Sequence, residues 1–226
     1  MIKKVSMFGR DWEFRDEGNA KSVDLIAHEL NQDCYGLSRV RLTPGDVIID
    51  IGANVGMFSI PLAKMNPGVT IYAFEAFPPT FENLAFNCKH NGVQNVIPVG
   101  IGVSGDSKTL HMQCCLSDMT GGASAHFRQT DNPLITHVDV DTTTLDQIFS
   151  EKEVESCRLL KIDCEGSEHE ILSGFHHWER VGFLAAEFHE NDLLRQQGYT
   201  NKLLRELVLR HIPEQFTAIT CIEMGC

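Results

Sequence analysis

The feature that most constrains the fold is an apolar strand that runs directly into a turn containing two glycines. Residues 47–51 read VIIDI, the turn reads GANVG, and a helical pattern begins at Met57. Further apolar runs, up to residues 216–224, alternate with segments whose apolar residues recur at helical spacing. This alternation predicts an α/β sandwich built around a mostly parallel sheet.

Acidic residues recur at or near the predicted strand ends. They are Asp50, Glu75, Asp163 and Glu187. Ligands of parallel sheets bind at the carboxyl ends of the strands, near the point where the strand order reverses. The sequence therefore predicts a ligand site lined by carboxylates.

Composition limits the number of domains, the cellular location and the kinds of partner that we expect. The 226 residues suffice for one structural domain, and we expect a hairpin-and-helix extension over residues 1–45 before the main domain at 46–226. A net charge of −12 argues against a nucleic-acid partner. The eight cysteines include no C-x-x-C pair, and no segment reads as a signal peptide or membrane span. We expect a reduced, cytoplasmic protein.

The turn and the next strand end indicate a nucleoside ligand without phosphates. The turn lacks both the G-x-G-x-x-G pattern of dinucleotide sites and the G-K-S/T of phosphate loops. Glu75 stands where a carboxylate can accept hydrogen bonds from both ribose hydroxyls. A ribose beside clustered carboxylates fits S-adenosylmethionine, whose sulfonium is a cation. The alternatives are a nicotinamide-dependent oxidoreductase with an aberrant turn and a turn that only packs strand on helix.

Four segments in this order resemble the FkbM family of S-adenosylmethionine-dependent methyltransferases: DIGANVGMFS, YAFEAFPPTFENLAFN, TTTLDQI and LLKIDCEGSEHEILSG. The resemblance covers roughly residues 40–190. It implies the class I methyltransferase fold, a Rossmann-like three-layer sandwich whose seven-stranded sheet ends in an antiparallel strand. It also implies O-methylation of sugars, polyketides or related metabolites. One departure is visible, because the family usually has E-P where this chain has Glu75-Ala76.

The resemblance also assigns roles to single residues. It places Glu75 on the ribose, the adenine side near Phe77, and Asp163 beside the transferred methyl group. The methionine half of the cofactor is assigned to Asp50, Gly52, Asn54 and Gly56. Glu165 and Glu168 follow in the same signature; Glu165 is a candidate substrate contact, and for Glu168 a structural role competes evenly with a functional one.

The best candidate for a catalytic base lies where the fifth strand ends. Strand alternation puts Glu187 and His189 on the same side, and a neighbouring carboxylate would raise the pKa of the histidine and orient its ring. With Asp163, these two residues form the predicted catalytic set. His126 and Arg128, in the glycine-containing excursion at 117–133, are further candidate substrate contacts.

The sequence leaves several alternatives open. Asp163, Glu187, His189 and Asn191 offer ligand atoms for magnesium, but no spacing is diagnostic, so we expect no metal. N-methylation of a peptide or amine and a non-catalytic S-adenosylmethionine-binding module also stay open. The expected partner is a small-molecule or glycan substrate.

Overall fold

The N-terminal segment forms a hairpin and a helix. The computed structural model describes residues 1–16, 21–115, 124–126 and 135–224. The first elements are β1 (Ile2–Met7), β2 (Arg10–Arg15) and α1 (Lys21–Asn31). β1 and β2 pair antiparallel. The inward-facing Trp12 and Phe14 share one apolar cluster with residues of the main sheet and its helices.

The first half of the main domain contains three parallel strands. The elements are β3 (Val47–Ile51), α2 (Ser59–Met65), β4 (Thr70–Phe74), α3 (Pro78–His90) and β5 (Val96–Val99). In β3, Ile48 belongs to the cluster on one face of the sheet, whereas Ile49 and Ile51 belong to the cluster on the other. Helices therefore cover both faces, as a buried parallel sheet requires.

Short strands and a hairpin separate the two halves of the sheet. They are β6 (Gly102–Val103), β7 (Leu110–Cys115), β8 (Ile135–Val140) and β9 (Thr142–Thr143), followed by α4 (Leu145–Glu151). β6 pairs with β9, and β7 pairs antiparallel with β8. Thr144 and Gln147 form a reciprocal capping box at the start of α4, so the helix begins where these two side chains satisfy free backbone N–H groups.

The second half completes the sheet. Its elements are β10 (Cys157–Ile162), α5 (Glu168–Ser173), β11 (Leu184–Glu190), α6 (Asp192–Gln196), α7 (Asn201–Leu209) and β12 (Thr217–Glu223). The strand order is β12-β11-β10-β3-β4-β5. β3 and β10 are adjacent although α4 and the hairpin separate them in sequence. Their carboxyl ends therefore form the point at which the strand order reverses.

The expected α/β three-layer architecture is confirmed, but the main sheet differs from the expectation in two respects. Among the described residues the main sheet has six strands rather than seven, and its last strand is parallel: Leu184 pairs with Thr217 and Glu190 with Glu223. α6 and α7 connect β11 to β12, and a crossover through helices delivers the next strand in the same direction. No described helix combines the length and apolar character needed to cross a bilayer.

Candidate active site

The glycine turn passes directly against the chain that follows β10. Gly52 has φ +75°, and a Cβ there would lie 1.7 Å from the carbonyl oxygen of Asp163. Only glycine allows both this backbone conformation and this approach. Gly56, with φ +93°, fits against Ile60 and Leu84 instead. Gly52 therefore allows the carboxyl ends of β3 and β10 to meet.

Glu75 ties the turn to the end of β4. Its Oε2 accepts a hydrogen bond from the backbone N–H of Asn54, and its Oε1 accepts one from that of Phe77, both at 2.9 Å. Burial raises the pKa of Glu75 to about 7. A carboxylate offers about four acceptor positions, so two remain for a ligand.

A buried lysine joins two of the predicted acidic residues. Lys161, on β10, pairs with Asp50 in the strand register. Its Nζ lies 3.3 Å from Asp50 Oδ1 and 3.4 Å from Asp163 Oδ2, and donates to the carbonyl oxygen of Gly52 at 2.8 Å. Burial lowers its pKa, but Asp163 and Asp50 raise it by more. Asp50 is fully buried and also accepts a hydrogen bond from the Ser59 hydroxyl at 2.6 Å. It therefore stabilises the turn from its buried side.

Asp163 has a further partner that sequence reasoning missed. The hydroxyl of Tyr35 donates to Asp163 Oδ2 at 2.9 Å. Tyr35 is buried, and its ring meets Phe58 edge-on. No motif marks Tyr35, since it precedes the glycine turn and lies 128 residues from Asp163.

Glu187 and His189 approach each other, as expected for side chains on the same side of a strand, and both lie beside Asp163. Burial and the charge of Asp163 raise the pKa of Glu187 to about 7. His189 Nδ1 lies 2.9 Å from Glu168 Oε1, and its Nε2 lies 3.9 Å from Glu165 Oε2. Burial lowers the pKa of His189, but the hydrogen bond with Glu168 and the charges of Glu168, Glu165 and Asp163 raise it to about 9.

Glu168 fixes the loop between β10 and α5. Its carboxylate accepts from the backbone N–H groups of Cys164 and Gly166 at 3.0 Å, besides its contact with His189. The residue is 1% exposed. The structural role considered from the sequence is therefore present, and the same carboxylate orients the imidazole. Burial raises the pKa of its neighbour Glu165 to about 7.

A short part of the excursion lies on this loop. Ser124 donates to the carbonyl oxygen of Glu165 at 2.5 Å, and His126 Nε2 lies 3.0 Å from Ser167 Oγ. Asn191 donates to the carbonyl oxygen of His126 at 2.8 Å. His126 thus stands beside the predicted site. Arg128 lies outside the described residues.

A cleft opens between the glycine turn, the end of β4 and β7. Gly52, Asn54, Glu75, Asp163 and Glu165 line it. The side chain of Phe77 packs instead with Met112, Cys114 and Val140 under the β7–β8 hairpin, while Ala76 lines the cleft. Of the acidic residues predicted at strand ends, Glu75 and Asp163 line this cleft, whereas Asp50 and Glu187 are not among its lining residues.

Three neighbouring residues could together hold a metal ion. Ligand atoms of Asp163, Glu187 and His189 all lie within 4.8 Å of one another, and two carboxylates with an imidazole are suitable for a divalent cation. Positive charge is already supplied there, because Lys161 Nζ lies 3.4 Å from Asp163 and protonation of His189 is favoured. The expectation that no metal is needed stays a prediction.

Comparison with known proteins decides the family. The profile of the Methyltransferase FkbM domain matches residues 50–211. The chain belongs to the FkbM methyltransferase family. It is 28% identical to 31-O-demethyl-FK506 methyltransferase FkbM of Streptomyces tacrolimicus, over 80% of this chain and 84% of that protein. It is 27% identical to the hexuronic acid methyltransferase AglP of Haloferax volcanii, over 79% and 66% respectively.

This FkbM-family protein is therefore an S-adenosylmethionine-dependent methyltransferase. The family predicted from the sequence is confirmed. Tyr35 precedes the matched range, whereas Lys161 and Glu168 fall within it. For these last two, the K-I-D-x-E-G-x-E phrase is the sequence signal.

Proposed function

We propose that this protein transfers the methyl group of S-adenosylmethionine to a hydroxyl oxygen of a sugar, glycan or small metabolite. The observation that supports this most is the gathering of Asp163, Glu187 and His189 within 4.8 Å beside the cleft. A hydroxyl must lose its proton as it attacks, whereas a neutral amine needs little help from a base. A relative named for a hexuronic acid is consistent with such an acceptor.

The cofactor supplies a methyl group on a sulfonium, which is already a good leaving group. For its binding we propose that Glu75 holds the ribose, and that Gly52, Asn54 and Asp163 face the methionine half. Asp50 and Gly56 act behind them by fixing the turn, and Phe77 acts through its backbone contact with Glu75. Carboxylates near a cation in a water-poor cleft stabilise it more than they would in bulk water.

We assign the proton acceptor to Glu187 in preference to His189. A general base works best when its pKa lies near the operating pH, and that of Glu187 is about 7. With a pKa of about 9, His189 carries a proton at neutral pH. It then contributes charge and orientation, while Glu165 and His126 face the acceptor side.

The test uses the full chain with methyl-labelled S-adenosylmethionine. Hexuronic acids, other hydroxyl metabolites and matched amines are offered, and product NMR locates the methyl group. Glu187→Gln should lower kcat on a hydroxyl acceptor by about 100-fold or more while calorimetry shows unchanged cofactor affinity. Glu223→Gln, at an exposed position on the next strand, is the matched control. Transfer to amines alone would replace this proposal with N-methylation.

A further inference from the structure

We propose that Tyr35, which precedes the family match, is a positioning residue of the methyl-transfer site that holds Asp163 and Glu187 in their working arrangement. The inference rests on the proposed function, since it concerns the same carboxylates. It assigns part of the active site to the N-terminal extension, which supplies Tyr35 from the segment after α1.

The contacts of Tyr35 define what it does. Its hydroxyl donates to Asp163 Oδ2 at 2.9 Å, and Lys161 Nζ approaches the same oxygen at 3.4 Å. Lys161 Nζ also stands 5.7 Å from the centre of the Tyr35 ring. The carboxylate of Asp163 is thus held at one oxygen by two donors, one from β10 and one from the extension. Such double support fixes a side chain better than either donor alone.

The ring and the hydroxyl of Tyr35 have separable roles. The ring packs against Phe58, with centroids 5.5 Å apart, and the residue is only 5% exposed. The hydroxyl is directed at the carboxylates instead, and Tyr35 is not among the residues that line the cleft. Removing the hydroxyl alone should therefore leave the packing in place, and Lys161, 3.4 Å from the same oxygen of Asp163, should keep that carboxylate at the cofactor.

Through Asp163, the hydroxyl also acts on Glu187, because carboxylate oxygens of Asp163 and Glu187 lie within 4.8 Å of each other. Burial and Asp163 raise the pKa of Glu187, and the Tyr35 hydroxyl is among the groups that lower it. The charged and titratable groups that face Glu187 are Asp163, Glu29, Lys161, Cys34, Glu165, His189 and Tyr35 itself. Most of these groups are acidic. Loss of a donor among them makes the charged form of Glu187 less favourable.

The experiment compares Tyr35→Phe with Tyr72→Phe, which removes a hydroxyl from β4 outside the cleft. Tyr35→Phe should lower kcat about tenfold, the equivalent of one hydrogen bond to a charged group, with unchanged affinity for S-adenosylmethionine by calorimetry. The acid limb of its kcat/KM profile should move to higher pH. Carboxyl carbon NMR of Glu187, assigned with Glu187→Gln, should show the same upward shift with the demethylated cofactor bound.

Two outcomes overturn the proposal. One is that the pKa of Glu187, measured by NMR, is the same in Tyr35→Phe as in the unaltered chain. The other is a fall in cofactor affinity that matches the fall in kcat, which would make Tyr35 a binding residue. If the unaltered chain methylates no hydroxyl, the proposed function fails, and the NMR titration still decides the role of Tyr35.

Discussion

At the level of single residues, the contact between Glu168 and His189 sets the charge of the imidazole. Glu168 is 1% exposed and held by two backbone N–H groups of its own loop. It approaches His189 Nδ1 at 2.9 Å. A histidine with a buried carboxylate on one nitrogen holds its proton more firmly than a free one. In the folded protein His189 is therefore a cation over the whole neutral range.

This charge makes the stability of the protein depend on pH. Because the pKa of His189 is raised from 6.5 to about 9 in the folded state, the folded protein binds the proton more tightly than the unfolded chain. The stabilisation is complete below pH 6.5 and is lost as the pH rises towards 9. We expect this residue to contribute a decrease of roughly 3 kcal/mol in the free energy of unfolding across that window.

Urea denaturation at a series of pH values measures the effect. His189→Gln should flatten the slope between pH 6.5 and 9, although the variant is less stable at low pH. Equal slopes for His189→Gln and the unaltered chain would contradict the assignment.

Sequence reasoning found the residues at strand ends and missed those that hold them. Asp163 and Glu187 were predictable because each directly follows an apolar strand segment, and parallel strands end at a common edge. Tyr35 reaches that edge from 128 residues away. Pairings of this kind depend on tertiary packing that no local pattern records.

At the level of the elements, the glycine turn is determined by the approach of two strands. Gly52 combines a left-handed backbone with a backbone oxygen where its Cβ would be. Gly45 has a similar φ of +94°, but nothing lies within 4 Å of its Cβ position. Alanine substitutions at the two positions therefore separate the free-energy cost of the left-handed backbone from the cost of the close contact with Asp163.

Gly52→Ala should destabilise the protein by roughly 3–5 kcal/mol, in the range of backbone strain combined with overpacking. Gly45→Ala should cost about 1–2 kcal/mol, the penalty of the left-handed conformation alone. Chemical denaturation measures both values. Similar losses in the two variants would contradict this expectation and show that the turn can move away from Asp163 at little cost.

The strands of the main sheet were also predictable to different degrees. All six appear in the sequence as apolar segments between turn residues, and all six are observed. The seventh, antiparallel strand came only from the family resemblance, and the described residues do not contain it. The pairing of β7 with β8 could not be predicted from the sequence either, because 19 residues separate the two strands, whereas most hairpin loops have two to five.

At the level of the whole molecule, the extension and the main domain share their core. Phe14 and Trp12 of β2 belong to the same apolar cluster as Val55 and Met57 of the glycine-turn segment. Asn87 of α3 donates to the carbonyl oxygens of Arg15 and Val55, so hydrogen bonds cross the same boundary. An extension packed in this way is expected to unfold together with the sheet.

Phe14→Ala tests this expectation. Phe14 is fully buried, and its truncation should cost about 3–5 kcal/mol through lost burial and the cavity left behind. Because the cluster is continuous, the loss should appear in one cooperative transition that fluorescence, circular dichroism and cofactor release all report at the same midpoint. Phe216→Ala, at a side chain 47% exposed, should change stability by less than about 0.5 kcal/mol. The contrary result would be two separate transitions, with cofactor release following only the transition that Phe14→Ala does not shift. Residues 1–45 would then be an independent unit, and Tyr35 would have no required role in the site.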